Sequence, residues 1–412
     1  MYTKLDKFVP DAEKKPKTLI AHGDERLDNY YWLNERENPA VIDVLKAENT
    51  YAEHVMSHTK EFQQTLYDEM VARIKEDDTS VPYKRNGYYY ATQYKKGNEY
   101  PIYTRGKEKS GDDEVLLDQN ILAEGFKFHS IQGRQISPDN NLLIYGEDTL
   151  SRRIYTLHIK DLRTGKNYAD IIPNTSANAV WANDNQTIFY TVKDEALRPY
   201  KVYRHVIGTP VQDDVLIYHE TDETYNTYVM RSNSDQFIQI GSFSTLSTEF
   251  RILNADDPMG EFKIFQPRER NLEYEVEHDG NQFYILTNMD AQNFQVMSTP
   301  IHATEKTNWK TFVAHRPDIF IEDMDVFKNF LVLTERHKGI SKVRILSHDG
   351  SDHFVTFDES VYSAGTKDNY DINADQIRLH YSSLKTPATT YDYDVNTRQL
   401  TLLKRQEVLG DF

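Results

Sequence analysis

Several residue pairs in this chain stand at spacings that chemistry uses, and each lacks the neighbour that would complete a site. His54 and His58 are four residues apart in a stretch of helical periodicity, which puts both imidazoles on one face as zinc ligands would be. Glu53 precedes His54 instead of following it, so the metalloprotease order fails, and no third ligand is marked nearby. The reading is a solvated helix face. Asp112-Asp113 and Asp256-Asp257 are paired carboxylates, but they fall between strand-like runs and lack calcium-loop spacing, so they read as turns. A serine nucleophile on a strand-to-helix elbow needs a glycine two residues to either side. None of the 17 glycines has a second glycine four residues away; Gly241-Ser242-Phe243-Ser244 and Gly339-Ile340-Ser341 supply only the first. Gly-rich phosphate loops are also missing, and with no cysteine there is no disulfide, zinc-thiolate or thiol chemistry. The expectation is a chain with no catalytic, cofactor-binding or metal-binding residue of its own.

Composition narrows the partners. A net charge of −17 argues against nucleic acid, which requires clustered Lys and Arg. No apolar run approaches 18 residues, so no membrane span is expected, and Met1 to Lys7 contains no apolar segment of a signal peptide. The absence of cysteine suits a reducing compartment, and a cytoplasmic location is expected. The 28 Tyr and 19 Phe favour strands, because such rings fit a pleated, half-buried surface.

The elements that would position any site follow a beat. Polar turns centred on Asp139, Asp184, Asp235, Asp279, Lys328 and Asp375 are 45, 51, 44, 49 and 47 residues apart, with aromatic and β-branched runs between them. That period matches a four-stranded β-propeller blade. With the leading Asn86-Gly87 turn, the count is seven blades over residues 81–404. No strand is evident upstream to complete the last blade, so an open ring closed by side-chain packing is expected.

Residues 1–80 do not share the beat and read as coil and helix. Asn38-Pro39 reads as an N-cap followed by proline in the first turn. Val41, Val44, Leu45, Ala52 and Val55 then recur at helical spacing, and Phe62, Leu66, Met70 and Ile74 form a second stripe. This predicts an N-terminal α-helical extension. Trp32, within Asp28-Asn29-Tyr30-Tyr31-Trp32-Leu33, is expected as a buried anchor against another domain.

Taken together, these segments resemble the prolyl oligopeptidase family of serine peptidases, and within it the oligopeptidase B (protease II) branch. The resemblance rests on Asp28 to Leu33, Glu99-Tyr100-Pro101-Ile102-Tyr103, Ser137-Pro138-Asp139 and Leu197-Arg198-Pro199-Tyr200-Lys201-Val202-Tyr203-Arg204-His205. It continues through Glu273-Tyr274, Glu277-His278, Glu322-Asp323, Asp325-Val326-Phe327, Ser382-Ser383-Leu384, Thr386-Pro387, Leu402-Leu403-Lys404 and Glu407-Val408-Leu409-Gly410. It implies a gating, size-filtering propeller joined to an α/β-hydrolase domain that carries the Ser-Asp-His triad and selects short peptides with Arg or Lys.

The resemblance also implies that this chain stops, at Phe412, before that domain. Residues 405–412 would begin the linker, and the chain would be inactive alone. Lys75, Glu76, Asp77, Gln406, Glu407 and Val408 become hinge candidates, and Tyr31, Trp32 and Leu33 interdomain contacts. Val41, Leu45, Phe62 and Leu66 would form an apolar stripe without its partner. The alternative is a free-standing propeller that binds a peptide or protein; a propeller enzyme with its own site on the funnel floor would need convergent His or carboxylates that the sequence does not mark.

Overall fold

Residues 9–109 and 113–410 are described in the computed structural model. They divide into two units: residues up to Lys75 together with those from Val408 onward, and Glu76 to Glu407. Asp112 and Phe412 lie outside the described residues.

In the first unit, the strands β1 (Lys17–Ala21) and β2 (Asp24–Asp28) form an antiparallel hairpin. The sequence reading had only coil and helix here. Nearly every residue of both strands is exposed, so no buried alternation marks them. Only the turn gives a signal: His22 and Gly23 both take positive φ, 53° and 81°. Helix α1 (Pro39–Met56) starts as the sequence predicts, with Asn38 Oδ1 accepting the Ala40 N–H at 3.0 Å and Pro39 in the first turn. It buries Val41 alone. Helix α2 (Lys60–Ala72) buries no residue: Phe62 is 63% exposed and Met70 57%.

The second unit is a β-propeller made almost entirely of antiparallel strands, in six sheets. Sheet 1 has five strands between Asp78 and Asp118. Sheet 2 has seven, from Ser130–Ile136 to Val215–His219. Sheets 3, 4, 5 and 6 have four strands each, beginning at Asn226, Tyr274, Ile319 and Ser363. Five sheets therefore have the blade format, where seven blades were expected. The difference lies in the 15-residue strand Asn167–Trp181, which pairs with Tyr155–Asp161 and with Thr187–Lys193 and so joins both sets of strands into one sheet.

That strand bends instead of ending: Asn174 and Ala177 have φ of 60° and 67°, and the register shifts between Thr175 and Ala179. The bend brings the Ala177 carbonyl against Gly133, where a Cβ would sit 1.8 Å from its oxygen. Only glycine fits there, and its φ of +62° independently favours glycine.

Apolar residues at every second position pack within and between sheets, as in Leu157 and Ile159 with Trp181 and Ile188 inside sheet 2, or Val343 and Ile345 of sheet 5 with Ile377 and Leu379 of sheet 6. Sheets 1 and 6 share no strand pairing among the described residues. Side chains join them: Arg378 Nη1 donates to the Pro82 carbonyl (2.6 Å), Lys84 Nζ is 3.3 Å from Asp371, Lys404 Nζ is 2.6 Å from Asp78, and the Tyr83 and Tyr370 rings are 5.0 Å apart.

Candidate functional site

Several of the polar turns that set the sequence period bond to one another or to neighbouring loops, within sheet 2 and from sheet to sheet. Asn86 Nδ2 donates to the Pro138 carbonyl (2.5 Å), Asn140 Nδ2 to the Asn86 carbonyl (3.2 Å), and the Asp139 N–H to Asn185 Oδ1 (2.8 Å). Asn183 Nδ2 reaches Asp256 Oδ1 at 2.6 Å, and the Lys328 N–H reaches the Ile372 carbonyl at 2.9 Å. The turn at Asn233 reaches further. Its N–H donates to Glu277 Oε2 of sheet 4 (3.2 Å), while its side-chain amide donates to the Val326 carbonyl of sheet 5 (3.4 Å).

Beside this belt lies a cavity of about 430 Å³. The strand Tyr83–Arg85 of sheet 1 contributes Arg85, the leading strands of sheets 2 and 3 contribute Gln135 and Met230 with Arg231, the bent strand contributes Asn178 to Trp181, and sheet 6 contributes Tyr370 through the loop before its second strand. Strands from several sheets thus face a common central space, which is the geometry of a propeller channel. Asn178 also caps the open edge of the next sheet, donating to the Val229 carbonyl (2.9 Å) and accepting its N–H (2.7 Å).

Further round, two leading strands place four carboxylates together: Glu275 and Glu277 on Tyr274–Asp279, and Asp323 and Asp325 on Ile319–Val326. None has an ion-pair partner among the described residues. Withdrawal from water pushes Glu277 up to about 7, with Asp325 adding to the rise; Asp325 is pushed up to about 6 by the same cause and by Asp323. Loss of water, with the neighbouring Asp323, raises Glu275 too.

A carboxyl whose pKa is raised on folding binds its proton more tightly when folded, so its contribution to stability falls as pH climbs from about 4.5 through about 7. Glu277→Gln should therefore be more stable than the parent at pH 8, with the gain shrinking at pH 5, in urea unfolding at the two pH values. An equal effect at both would exclude a charge origin.

The other residues singled out from sequence have ordinary roles. His58 Nδ1 bonds the Val55 carbonyl at 2.9 Å, and Asp256 serves the belt. Among the described residues, no group of three or more His, Cys, Asp or Glu is placed to hold a metal ion. No helix of these residues is long and apolar enough to cross a membrane. Trp32 is buried against its own unit, its indole N–H donating to the Glu13 carbonyl (2.9 Å) and Lys15 Nζ 4.2 Å above its ring; Tyr31 and Leu33 are half-buried.

Of the hinge candidates, Glu76 and Asp77 accept the N–H groups of Gly97 (3.3 Å) and Lys96 (2.8 Å), and the Gln406 N–H donates to the Ala388 carbonyl (2.8 Å). Val408 bridges to Ile74. Lys75 and Glu407 stand just to either side of these pairings. Arg85, Tyr370 and the four channel carboxylates carried no role in the sequence reading. The carboxylates had left a signal: Glu275-Val276-Glu277 and Asp323-Met324-Asp325 repeat a charge at the strand period.

The arrangement defines a propeller with a polar channel, in a chain that also has an amphipathic helical extension. The chain belongs to the family described as prolyl oligopeptidase, N-terminal β-propeller domain, matched over residues 10–406. It is 40% identical to dipeptidyl aminopeptidase BI of Pseudoxanthomonas mexicana over 97% of this chain and 58% of that protein. It is 31% identical to protease 2 of Moraxella lacunata over 98% of this chain and 59% of that one. Oligopeptidase B from Leishmania major superposes with a TM-score of 0.91 at 29% identity, covering 98% of this chain and 61% of that one. The chain thus spans about three-fifths of the length of these relatives.

Proposed function

We propose that this chain is the gating propeller of a longer serine peptidase that cuts short peptides after Arg or Lys, and that alone it hydrolyses none. The observation that carries the reading is one of extent. The family match fills residues 10–406, yet the chain spans only 58–61% of its relatives, leaving room in them for a catalytic α/β-hydrolase domain. The bare apolar face of α2 supports a missing neighbour, since exposed Phe62, Leu66 and Met70 in a row form a contact surface.

On this reading the boundaries are 1–80 for the helical extension, 81–404 for the propeller and 405–412 for the start of the linker. Lys75 to Asp77 and Gln406 to Val408 form the hinge, and Tyr31 and Leu33 meet the hydrolase domain while Trp32 anchors the segment locally. Sheet 2 counts as two blades sharing the strand Asn167–Trp181, which restores seven, and the ring is open, held between sheets 1 and 6 by side chains. A cytoplasmic setting accords with the lack of cysteine.

The test compares this chain with the full reading frame that contains it, using a fluorogenic substrate ending in Arg, one ending in Lys, and a free-amino dipeptide substrate, since one relative is named as a dipeptidyl aminopeptidase. The expected result is no turnover by the chain, and turnover by the full protein of the Arg and Lys substrates. Hydrolysis by the chain alone, or a full protein that takes only the dipeptide substrate, would overturn the corresponding half of the proposal. The second reading, a free-standing peptide-binding propeller, is favoured by the cavity being complete within this chain.

A further inference from the structure

We propose that the cavity at the belt end of the channel is a binding site for the carboxylate end of a short peptide. The proposal deepens the peptide-handling reading above and rests on it.

Arg85 is the reason to look for an anion. Of its five N–H donors only Nη1 is engaged among the described residues, with Gln135 Oε1 at a long 3.2 Å, and its guanidinium stands 5.4 Å from the centre of the Tyr370 ring. The other arginine of the cavity uses four of its five donors: Arg231 donates to Asp235 Oδ1 (2.5 Å), the Trp181 carbonyl (2.6 Å), the Asp235 carbonyl (2.9 Å) and Asn183 Oδ1. That pairing also neutralises Asp235, which is the cavity's one carboxylate among the described lining residues. The lining therefore carries one net positive charge, on Arg85, in a chain of net charge −17. A guanidinium with an unused fork matches a carboxylate through two parallel N–H···O bonds.

A second, independent feature asks for a donor. Asn140 Oδ1 is buried and accepts no hydrogen bond, although the same side chain's Nδ2 is fixed on the Asn86 carbonyl, which sets the orientation of the amide. A buried acceptor left unpaired costs about 1–3 kcal/mol, and Asn140 is one of the residues that line the cavity. An unused cationic fork and an unsatisfied acceptor in one cavity match the last residue of a peptide, whose carboxylate is followed within one residue by a backbone N–H. Inorganic phosphate, which also carries an O–H donor, is the competing occupant that the test separates. The cavity's volume lies within the roughly 300–1,000 Å³ of ordinary small-molecule sites.

Because Arg85 belongs to sheet 1 and Tyr370 precedes the second strand of sheet 6, an occupant would touch both sides of the junction between those sheets. Binding then tightens that junction.

The test uses this chain without any assay of hydrolysis, so its failure is separate from failure of the peptidase reading. Titration calorimetry would compare acetyl-Ala-Ala with a free carboxylate, acetyl-Ala-Ala amide, and inorganic phosphate. The free acid should bind at least tenfold more tightly than the amide and more tightly than phosphate. Arg85→Gln should lose at least tenfold in affinity for the free acid, with Arg85→Lys falling between the two. Equal binding of acid and amide, phosphate binding as tightly as the acid, or an Arg85→Gln variant that folds and binds unchanged would each overturn the proposal. The acid-to-amide comparison needs no variant and decides the matter even if the substitutions impair folding.

Discussion

Replacing His205 by leucine should destabilise the β unit by about 3–5 kcal/mol, the usual cost of removing one partner from a buried charged set. The imidazole is fully enclosed in sheet 2. Nδ1 is 2.7 Å from Asp214 Oδ1 and Nε2 is 3.0 Å from Asp170 Oδ1, and both carboxylates are themselves enclosed. Tyr190 Oη donates to the other Asp214 oxygen (2.7 Å) and the Gly208 N–H to Asp170 (2.6 Å), so the set has no slack to turn toward water.

Burial alone would lower the histidine's pKa, but Asp214 and Asp170 outweigh it and the net shift is upward. A histidine raised on folding gives its full stabilisation below its unfolded value of about 6.5 and loses it as pH rises through the folded value. The penalty of His205→Leu, read from urea unfolding, should therefore be largest near pH 6 and shrink toward alkaline pH. Adding Asp170→Asn and Asp214→Asn to the leucine variant should recover part of the loss. A penalty that stays constant with pH would show that packing, not charge, dominates.

Arg378→Leu should cost a similar amount, about 3–5 kcal/mol, for the same physical reason and with a local signature. Arg378 is 8% exposed and grips Asp392 through Nε (3.0 Å) and Nη2 (3.3 Å) while Nη1 holds the Pro82 carbonyl. Without it, Asp392 keeps only Lys109 among the described residues, at 3.9 Å. Hydrogen exchange should quicken in residues 83–90 and 376–381 and stay slow in sheets 3 and 4. Lys84→Ala, which removes a half-exposed pair with Asp371 at the same junction, should cost less than about 1 kcal/mol. Equal effects of the two substitutions would mean that the junction does not depend on its buried arginine.

The repeat was legible in the sequence because turn residues and alternation are local. The polar turn after each leading strand, such as Ser137 to Asn141 or Asn183 to Asn185, needs no distant residue to identify it. Where one blade ends is a different matter, since Pro173-Asn174-Thr175-Ser176 reads as a turn that ends a strand, yet the strand there bends and continues. The bend depends on Gly133 and Ala177 meeting across 44 residues of chain. The hairpin β1–β2 was missed because neither of its faces is buried.

The cavity was harder still. Arg85 looks like one more surface cation until the fold brings Gln135 and Tyr370 to it, and Asn140 looks like a turn residue until its side-chain Oδ1 is seen to lack a partner among the described residues. The channel carboxylates did sit inside segments that carried the family resemblance, at Glu277 and at Asp323 and Asp325, but a two-residue charge period on a strand is also what a solvated edge looks like. Which of the two it is depends on the neighbouring sheet.

The chain leaves the β unit where it came in. Lys404 Nζ holds both oxygens of Asp78 at 2.6 Å and also the Thr79 carbonyl, and just outside, Ile74 pairs with Val408 and the Leu409 N–H donates to the Arg73 carbonyl at 3.2 Å. For any polypeptide that continues from these two ends, a domain of more than three hundred residues therefore behaves as a short loop with its ends already clamped. The entropy of closing a loop grows only with the logarithm of its length, by roughly 0.6 kcal/mol per doubling, and here the two ends are held together by bonds of their own. A host fold could carry, lose or exchange such an insert with little disturbance to its own topology.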